Sequence, residues 1–346
     1  MNVSEKVNSI NVKQYNGGRA LMIAYYFPPL SGSGVFRSIK FVKYLSLFNW
    51  HPTVISTDKP PIFWNYSDES QLTEIPKDVE VFRIHDKFNE ECRTGYSQQR
   101  VNEILNFLFN IVRQDERAAR IFLELTKINE GILALLNLPC QCLSWACDTF
   151  NYIESNIDIS KFDVIYTTSG PYSAHLIGFY LSKIHNIPWI ADWRDQWHDN
   201  PGEQHDLNNP LEQLKFMLEN ILLHQATCDI TIVDIAVSMY IKNFNLPKDK
   251  ITCITNGYDE ADFEEFPNTV EKNEKFTISY SGLLYMKERN ILPILVELKN
   301  LIDRNLINKD EIQFRLVGKS YFDDLQTARQ FDLESIIVQT GYQKAA

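Results

Sequence analysis

The chain has 346 residues, enough for two domains of ordinary size, each with a core of its own. Its composition, 44% hydrophobic and 23% charged with only 13 Gly and 14 Pro, is that of a globular protein and excludes a disordered or collagen-like chain. A formal net charge of -11 argues against nucleic acid as a partner, because neutralising phosphates takes a dominant basic face.

The polar start MNVSEKVNSINVKQYNGGR has no apolar h-region, so residues 1–19 read as a loose extension rather than a targeting signal. No run reaches the roughly 18 uninterrupted apolar residues of a membrane span, and the chain is expected in the cytoplasm. Short β-branched runs then alternate with longer helical patterns. Strands are expected at Ala20–Phe27, Pro52–Thr57, Val79–Ile84, Asp163–Thr168, Pro188–Ala191, Asp229–Val233 and Ile251–Ile254. Helices are expected at Val35–Phe48, Ser173–His185, Leu211–His224 and Ile235–Phe244. The alternation predicts an α/β fold with a doubly wound parallel sheet over residues 20–270.

Between the third and fourth strands lies an insertion, residues 98–153, that is helical by period. VNEILNFLFNIVRQ puts Val101, Ile104, Leu105, Leu108, Ile111 and Val112 on one face. Two readings stand: a helical subdomain packed on the sheet edge, or peripheral contact through 101–147 with the inner face of a membrane, Trp145 sitting at the interface. The six cysteines, Cys92, Cys140, Cys142, Cys147, Cys228 and Cys253, read as reduced thiols; the alternative for the first three neighbours, Cys140, Cys142 and Cys147, is a metal site.

The polar stretch EEFPNTVEKNEK marks a domain boundary near 270. Residues 271–346 repeat the theme with strands at Phe276–Gly282, Gln313–Val317 and Ser335–Gln339 and helices at Ile291–Arg304 and Tyr321–Phe331. This is half of a Rossmann-like domain, and a three-stranded half sheet leaves an edge uncovered.

In an open parallel sheet, ligands bind beyond the carboxyl ends of the strands, so the loops that follow strands matter most. After the first strand, PPLSGSGVFR carries Gly32, Ser33 and Gly34. Gly32-x-Gly34, with Asp58 downstream, matches part of a dinucleotide fingerprint, but Arg37 occupies the place of the third glycine. The fuller reading is a loop whose backbone approaches a ligand and whose helix N-terminus, with Arg37 one turn in, faces an anion or sugar hydroxyls. TTSGPYSAHLIG brings Ser169, Tyr172, Ser173 and His175 to the start of a helix, either as helix caps or as ligand contacts. In ADWRDQW, Asp192, Arg194 and Asp195 follow a buried strand, so these charges are either paired internally or bound to something polar.

Taken together, FPPLSGSGVFR, DVIYTTSGPYSAHLIG, IPWIADWRDQW and ITNGYDEADF followed by ISYSGLLY resemble the family 4 glycosyltransferases of bacterial surface-polysaccharide synthesis. The resemblance runs from about Ala20 to Tyr342, with its motifs in order. It implies the GT-B architecture, two Rossmann-like domains, the first holding mainly the acceptor and the second mainly the nucleotide-sugar donor. It implies that Gly32, Ser33 and Gly34 lie close to the donor diphosphate or transferred sugar. Arg194 and Asp195 match the place where many members have His-Asp. Asn256 and Gly257 match the segment before the interdomain linker, and Gly282, Lys287 and Arg289 fall where the family places cations on the diphosphate. Members continue with a second half of the nucleotide domain that nothing after TGYQKAA supplies. The chain is therefore expected to be truncated, dependent on another chain, or catalytically dead.

The resulting expectation is retaining transfer of a sugar from a nucleotide-diphosphate sugar to a glycan or lipid-linked acceptor, independent of metal and cofactor, with Asp192, Arg194 and Asp195 as the catalytic group. The rival readings are a non-catalytic sugar- or nucleotide-binding partner of a complete transferase and, resting on Gly32-x-Gly34 and Asp58, an NAD(P)-dependent oxidoreductase.

Overall fold

The computed structural model describes residues 17–58, 67–198, 206, 208–263, 272–284, 289–341 and 343. Most of the expected extension at 1–19, residues 264–271 at the start of the EEFPNTVEKNEK stretch, Tyr285 and Lys287 lie outside them. The chain divides into two compact units, Met1–Ala261 and Asp262–Ala346.

The first unit is built on seven parallel strands in the order β3-β2-β1-β4-β5-β6-β7. They are β1 (Gly18–Ile23), β2 (Trp50–Thr57), β3 (Glu80–Ile84), β4 (Val164–Thr168), β5 (Trp189–Trp193), β6 (Cys228–Thr231) and β7 (Ile251–Cys253). The central strand β1 explains the layering. Alternate side chains point to opposite faces of a strand. Ala20, Met22 and Ala24 join a core with Ile39, Val42 and Val54, whereas Leu21, Ile23 and Tyr25 join a larger one with Ile55, Ile165 and Trp145. Helix α1 (Ser33–Leu45) supplies Ile39 and Val42 to the first core.

The larger core is covered by a helical layer. After α2 (Phe88–Thr94) come α3 (Gln98–Val112), α4 (Glu116–Leu125), α5 (Asn129–Leu135) and α6 (Leu143–Asn156), and then α7 (Ser173–His185) and α8 (Pro210–Gln225). Helix α9 (Asp234–Phe244) completes the unit. The insertion at 98–153 is thus four helices, and Ile104, Leu108, Ile111 and Val112 face the core. Trp145 is a correction to the membrane reading. Its side chain is fully buried against Tyr25, with Nε1 donating to the Ile84 carbonyl at 3.3 Å, so it cannot sit at a bilayer surface. No described helix is long and apolar enough to cross a membrane.

The second unit has three parallel strands, β8 (Phe276–Ser281), β9 (Ile312–Val317) and β10 (Ile337–Gly341), in the order β10-β9-β8. On β9, Ile312, Phe314 and Leu316 are buried beside Leu295 and Leu298 of α10 (Leu292–Asp303) and Ala328 of α11 (Asp324–Arg329). Among the described residues no strand pairs with the outer edge of β10.

One buried acid sets a pH response. Asp229 on β6 is fully buried; Oδ1 accepts from Trp193 Nε1 at 2.8 Å, and Oδ2 has no hydrogen-bond partner among the described residues. Burial outweighs the Trp193 bond and the nearby Lys250 charge and pushes the carboxyl up to about 7. The folded state therefore holds a proton that the unfolded chain, at an ordinary 3.8, gives up. The stability this contributes is complete below the unfolded value and is lost as pH rises through the folded one. Denaturant unfolding of wild type and Asp229→Asn across that window is expected to show the wild type losing stability with rising pH relative to the variant. A difference that does not change with pH would rule this out.

Candidate functional site

The order of the strands reverses at β1, which lies between β2 and β4, and this switch point is where open α/β sheets bind ligands. The loops after β1, β4, β5 and β7 meet there. The pairing of their charges is not local.

Arg37 on α1 makes a two-pronged pair with Asp192 at the end of β5: Nε to Oδ2 at 2.7 Å and Nη2 to Oδ1 at 3.1 Å. Both side chains are buried, 4% and 0% exposed. Asp192 Oδ2 also accepts from Tyr166 at 2.5 Å and Thr168 at 3.2 Å, both from β4. Arg37 Nη1 donates to the Thr255 carbonyl and to Asn256 Oδ1, each at 3.2 Å, and the guanidinium lies 4.7 Å from the centre of the Phe41 ring. Burial works against the Arg37 charge, but Asp192 more than offsets it and holds the guanidinium above its ordinary value. Arg37 was expected to offer its charge to a ligand, whereas here it is spent on Asp192 and on the loop after β7.

Arg194 behaves oppositely. Its backbone N–H donates to Ser169 Oγ at 3.0 Å, while Nε donates to the Ser169 carbonyl, Nη1 to the Gly34 carbonyl and Nη2 to the Gly170 carbonyl at 3.4 Å. A guanidinium has five N–H donors, so two of them remain. Among the described residues no carboxylate lies within salt-bridge reach of Arg194. Burial pulls its guanidinium below the ordinary value, and Asp192 and Asp195 do not restore it. A half-buried cation whose side chain is held by carbonyls, joining the first turn of α1 to the loop after β4, is suited to an anion.

The glycine loop supports the same use. Gly32 sits at φ 126°, ψ 164°, a backbone open only to glycine, and caps α1 without any side-chain bond. The first turn of α1 contains no acidic residue; the Val35 N–H donates to the Gly32 carbonyl at 3.0 Å, and the N–H groups of Ser33 and Gly34 before it are those open to negative charge. The backbone of Ser33 opens the helix. Gly34 is not sterically required, since a Cβ there would meet Arg194 at an ordinary 3.5 Å.

The remaining expected residues are distributed unevenly. Ser169 is buried and serves Arg194. Tyr172 stacks on Trp197 with ring centres 5.2 Å apart and donates to the Gln196 carbonyl at 3.0 Å, while Asp195 is exposed beside it. His175 is fully buried; Nδ1 lies 2.7 Å from Thr167 Oγ1, which also accepts the Trp189 indole N–H, and the ring packs 4.2 Å from Trp193. Burial, helped by the Arg194 charge, keeps it neutral, down to about 3. Asn256 and Gly257 are exposed, Asn256 being tied to Arg37. Asp58 is held by His85, its Oδ1 3.0 Å from Nδ1.

Asp259 was not anticipated. It accepts from Lys40 at 3.0 Å, Lys43 at 2.6 Å, Tyr44 at 2.6 Å and the Ala261 N–H at 3.0 Å, and these bonds outweigh its burial and hold it well below the usual carboxylate range. The signal was present as Lys40, Lys43 and Tyr44 clustered in the second half of α1.

In the second unit Gly282 and Gly318 end β8 and β9 with φ of 149° and 125°. Gly282 N donates to the Val317 carbonyl at 2.9 Å, and a Cβ on Gly318 would lie 2.0 Å from the Gly282 carbonyl oxygen. Arg289 is exposed, and Lys287 lies outside the described residues.

Truncating Asp192 to Ala strands the Arg37 charge in the core and is expected to lower the unfolding free energy by about 3–5 kcal/mol. Arg37→Met combined with Asp192→Leu is expected to cost less than the two single changes summed. Denaturant unfolding measures both, and additive losses would contradict the coupling.

No protein-family model matches the chain. No curated protein matches it either. Solved structures do. The glycosyltransferase from Rickettsia africae ESF-5 aligns at a TM-score of 0.53 and 15% identity, covering 96% of this chain and 70% of that one. TarM aligns at a TM-score of 0.56 and 10% identity over 94% of this chain and 77% of that one. A Staphylococcus aureus (S. aureus) TarM mutant in complex with UDP aligns at 0.51 and 10% identity, covering 94% and 78%. With its parallel sheets of seven and three strands, the chain has the fold of the GT-B glycosyltransferases.

Proposed function

We propose that the chain is a glycosyltransferase that moves a sugar from a nucleotide-diphosphate sugar to a hydroxyl of a glycan or lipid-linked acceptor. The observation that carries this reading is Arg194, a half-buried guanidinium with no carboxylate partner among the described residues, beside the N-terminus of α1. Two of its N–H donors can meet phosphate or sugar oxygens as negative charge develops on the leaving diphosphate, which is where fixed donors lower a barrier most. The GT-B fold supports the reading, and so does the TarM mutant structure in complex with UDP and alpha-GlcNAc-glycerol.

The finer form of the proposal is the one the family 4 resemblance implies. Transfer proceeds with retention in surface-polysaccharide synthesis, and the leaving phosphate accepts the acceptor's proton, so no strong enzymic base is needed. Asp195, exposed beside Arg194, then orients an acceptor hydroxyl, while Asp192 acts only through Arg37 and the loop after β7. In the second unit Gly282, Lys287 and Arg289 are the proposed diphosphate contacts.

Titration calorimetry with UDP-, GDP- and ADP-sugars, followed by hydrolysis and transfer assays, tests this. At least one donor is expected to bind, with Arg194→Ala weakening it tenfold or more and Asp195→Asn lowering turnover well beyond a few-fold. Binding without turnover would identify a non-catalytic sugar-nucleotide partner of another transferase. Failure of every donor to bind would remove the proposal, and binding of NAD(P) alone would replace it with an oxidoreductase.

A further inference from the structure

Cys140 and Cys142 take no part in the site just described, and their geometry is that of a reactive pair. Leu143 N donates to the Cys140 carbonyl at 3.2 Å, closing a turn in which Cys142 has φ -90° and ψ 18°, as at the third position of a type I turn. Such a turn brings the Cα atoms of its first and third residues into the roughly 4.4–6.8 Å range that a disulfide spans. The two thiols are close enough to shift each other's proton affinity.

Their surroundings differ in the way a reactive and a resolving thiol differ. Cys140 is partly exposed, and its Sγ lies 2.9 Å from Ser173 Oγ at the first residue of α7. Burial would raise this thiol, but neighbouring Cys142 and the Ser173 hydroxyl outweigh it and bring it down to about 7. Cys142 is buried, and the Cys140 thiol beside it together with burial holds it well above the ordinary thiol value. A lowered thiol on a partly exposed residue beside a protonated one is the arrangement that favours oxidation followed by closure. Among the described residues, no His, Cys, Asp and Glu cluster of metal-binding geometry includes either sulfur.

We propose that Cys140 and Cys142 form a peroxide-sensitive pair that closes to a disulfide. The Cys140 thiolate attacks one oxygen of hydrogen peroxide; an S–O bond forms, the O–O bond breaks, and the departing hydroxide takes up a proton as water. The Cys142 sulfur then attacks the sulfenic sulfur; the S–S bond forms, the S–O bond breaks, and the second water leaves with the Cys142 proton. Two thiols lose two electrons, and peroxide gains them.

Closure draws the Cys140 sulfur away from Ser173. That residue opens α7, with Pro171 and Tyr172 between it and the Ser169 and Gly170 carbonyls that hold Arg194. The inference does not depend on glycosyl transfer being the activity.

The test treats the full chain with stoichiometric hydrogen peroxide, alkylates it, and maps the cysteines by fragment mass spectrometry. Loss of two hydrogens confined to Cys140 and Cys142, reversed by dithiothreitol, is expected. In Cys142→Ser, dimedone is expected to label Cys140 as sulfenic acid, whereas in Cys140→Ser the Cys142 thiol is expected to stay unmodified. Persistence of the wild-type dithiol at a dose that oxidises the exposed Cys92, or a disulfide that includes Cys147, would overturn the proposal. The wild-type measurement decides it whether or not the variants fold.

Discussion

The pair formed by Arg37 and Asp192 is the constraint on which the site depends. An ionised side chain enters a protein interior only with its partner and its hydrogen bonds in place. Meeting that demand here takes α1 for the guanidinium, β5 for the carboxylate, Tyr166 and Thr168 of β4 for its remaining lone pairs, and the loop after β7 for Nη1. Four segments distant in sequence are thereby fixed at the carboxyl end of one sheet. Because Asp192 is committed to Arg37, Arg194 two residues later has main-chain oxygens as its support, and it keeps its charge for something else.

The neighbouring cations on α1 sharpen that contrast. Lys40 and Lys43 share the Asp259 carboxylate, and Lys40 also reaches Glu74, so the positive charge along that helix face is neutralised in place. The Asp259 cluster does for the loop after β7 what Asp192 does for its opening residues: it anchors a segment that contributes little apolar burial. Electrostatics therefore set the backbone at the rim, while the two apolar layers on either side of β1 set the sheet.

This division explains what could be read from the sequence. The strands and most helices of both units were legible because both faces of a parallel sheet must be apolar, and runs such as Leu21–Ile23 or Val54–Ile55 declare it. The glycine loop and the Asp192-Trp193-Arg194-Asp195 run were legible as unusual, because polar residues interrupt strands where the chain should turn. Which charges neutralise one another was not. Arg37 and Asp192 are 155 residues apart, and Asp192 with Arg194 in one short string invited a local pairing that the fold does not make. His175 was misleading for a related reason: a polar residue at a helix start reads as accessible, yet the second turn of contacts, from Trp193 and Thr167, encloses it. Trp145 shows the converse, an aromatic that looked suited to an interface but fills the space beside Tyr25.

The glycines that end β8 and β9 bear on how this chain can diverge. At Gly318 the backbone conformation and the 2.0 Å approach of the Gly282 oxygen exclude every side chain at once, so the position has no conservative replacement. Surfaces around it can drift freely in sequence, but a lineage that keeps this strand-end geometry must keep that residue. In a chain whose solved structural neighbours share only 10–15% identity with it, a fixed point of this kind is a more durable mark of descent than overall similarity.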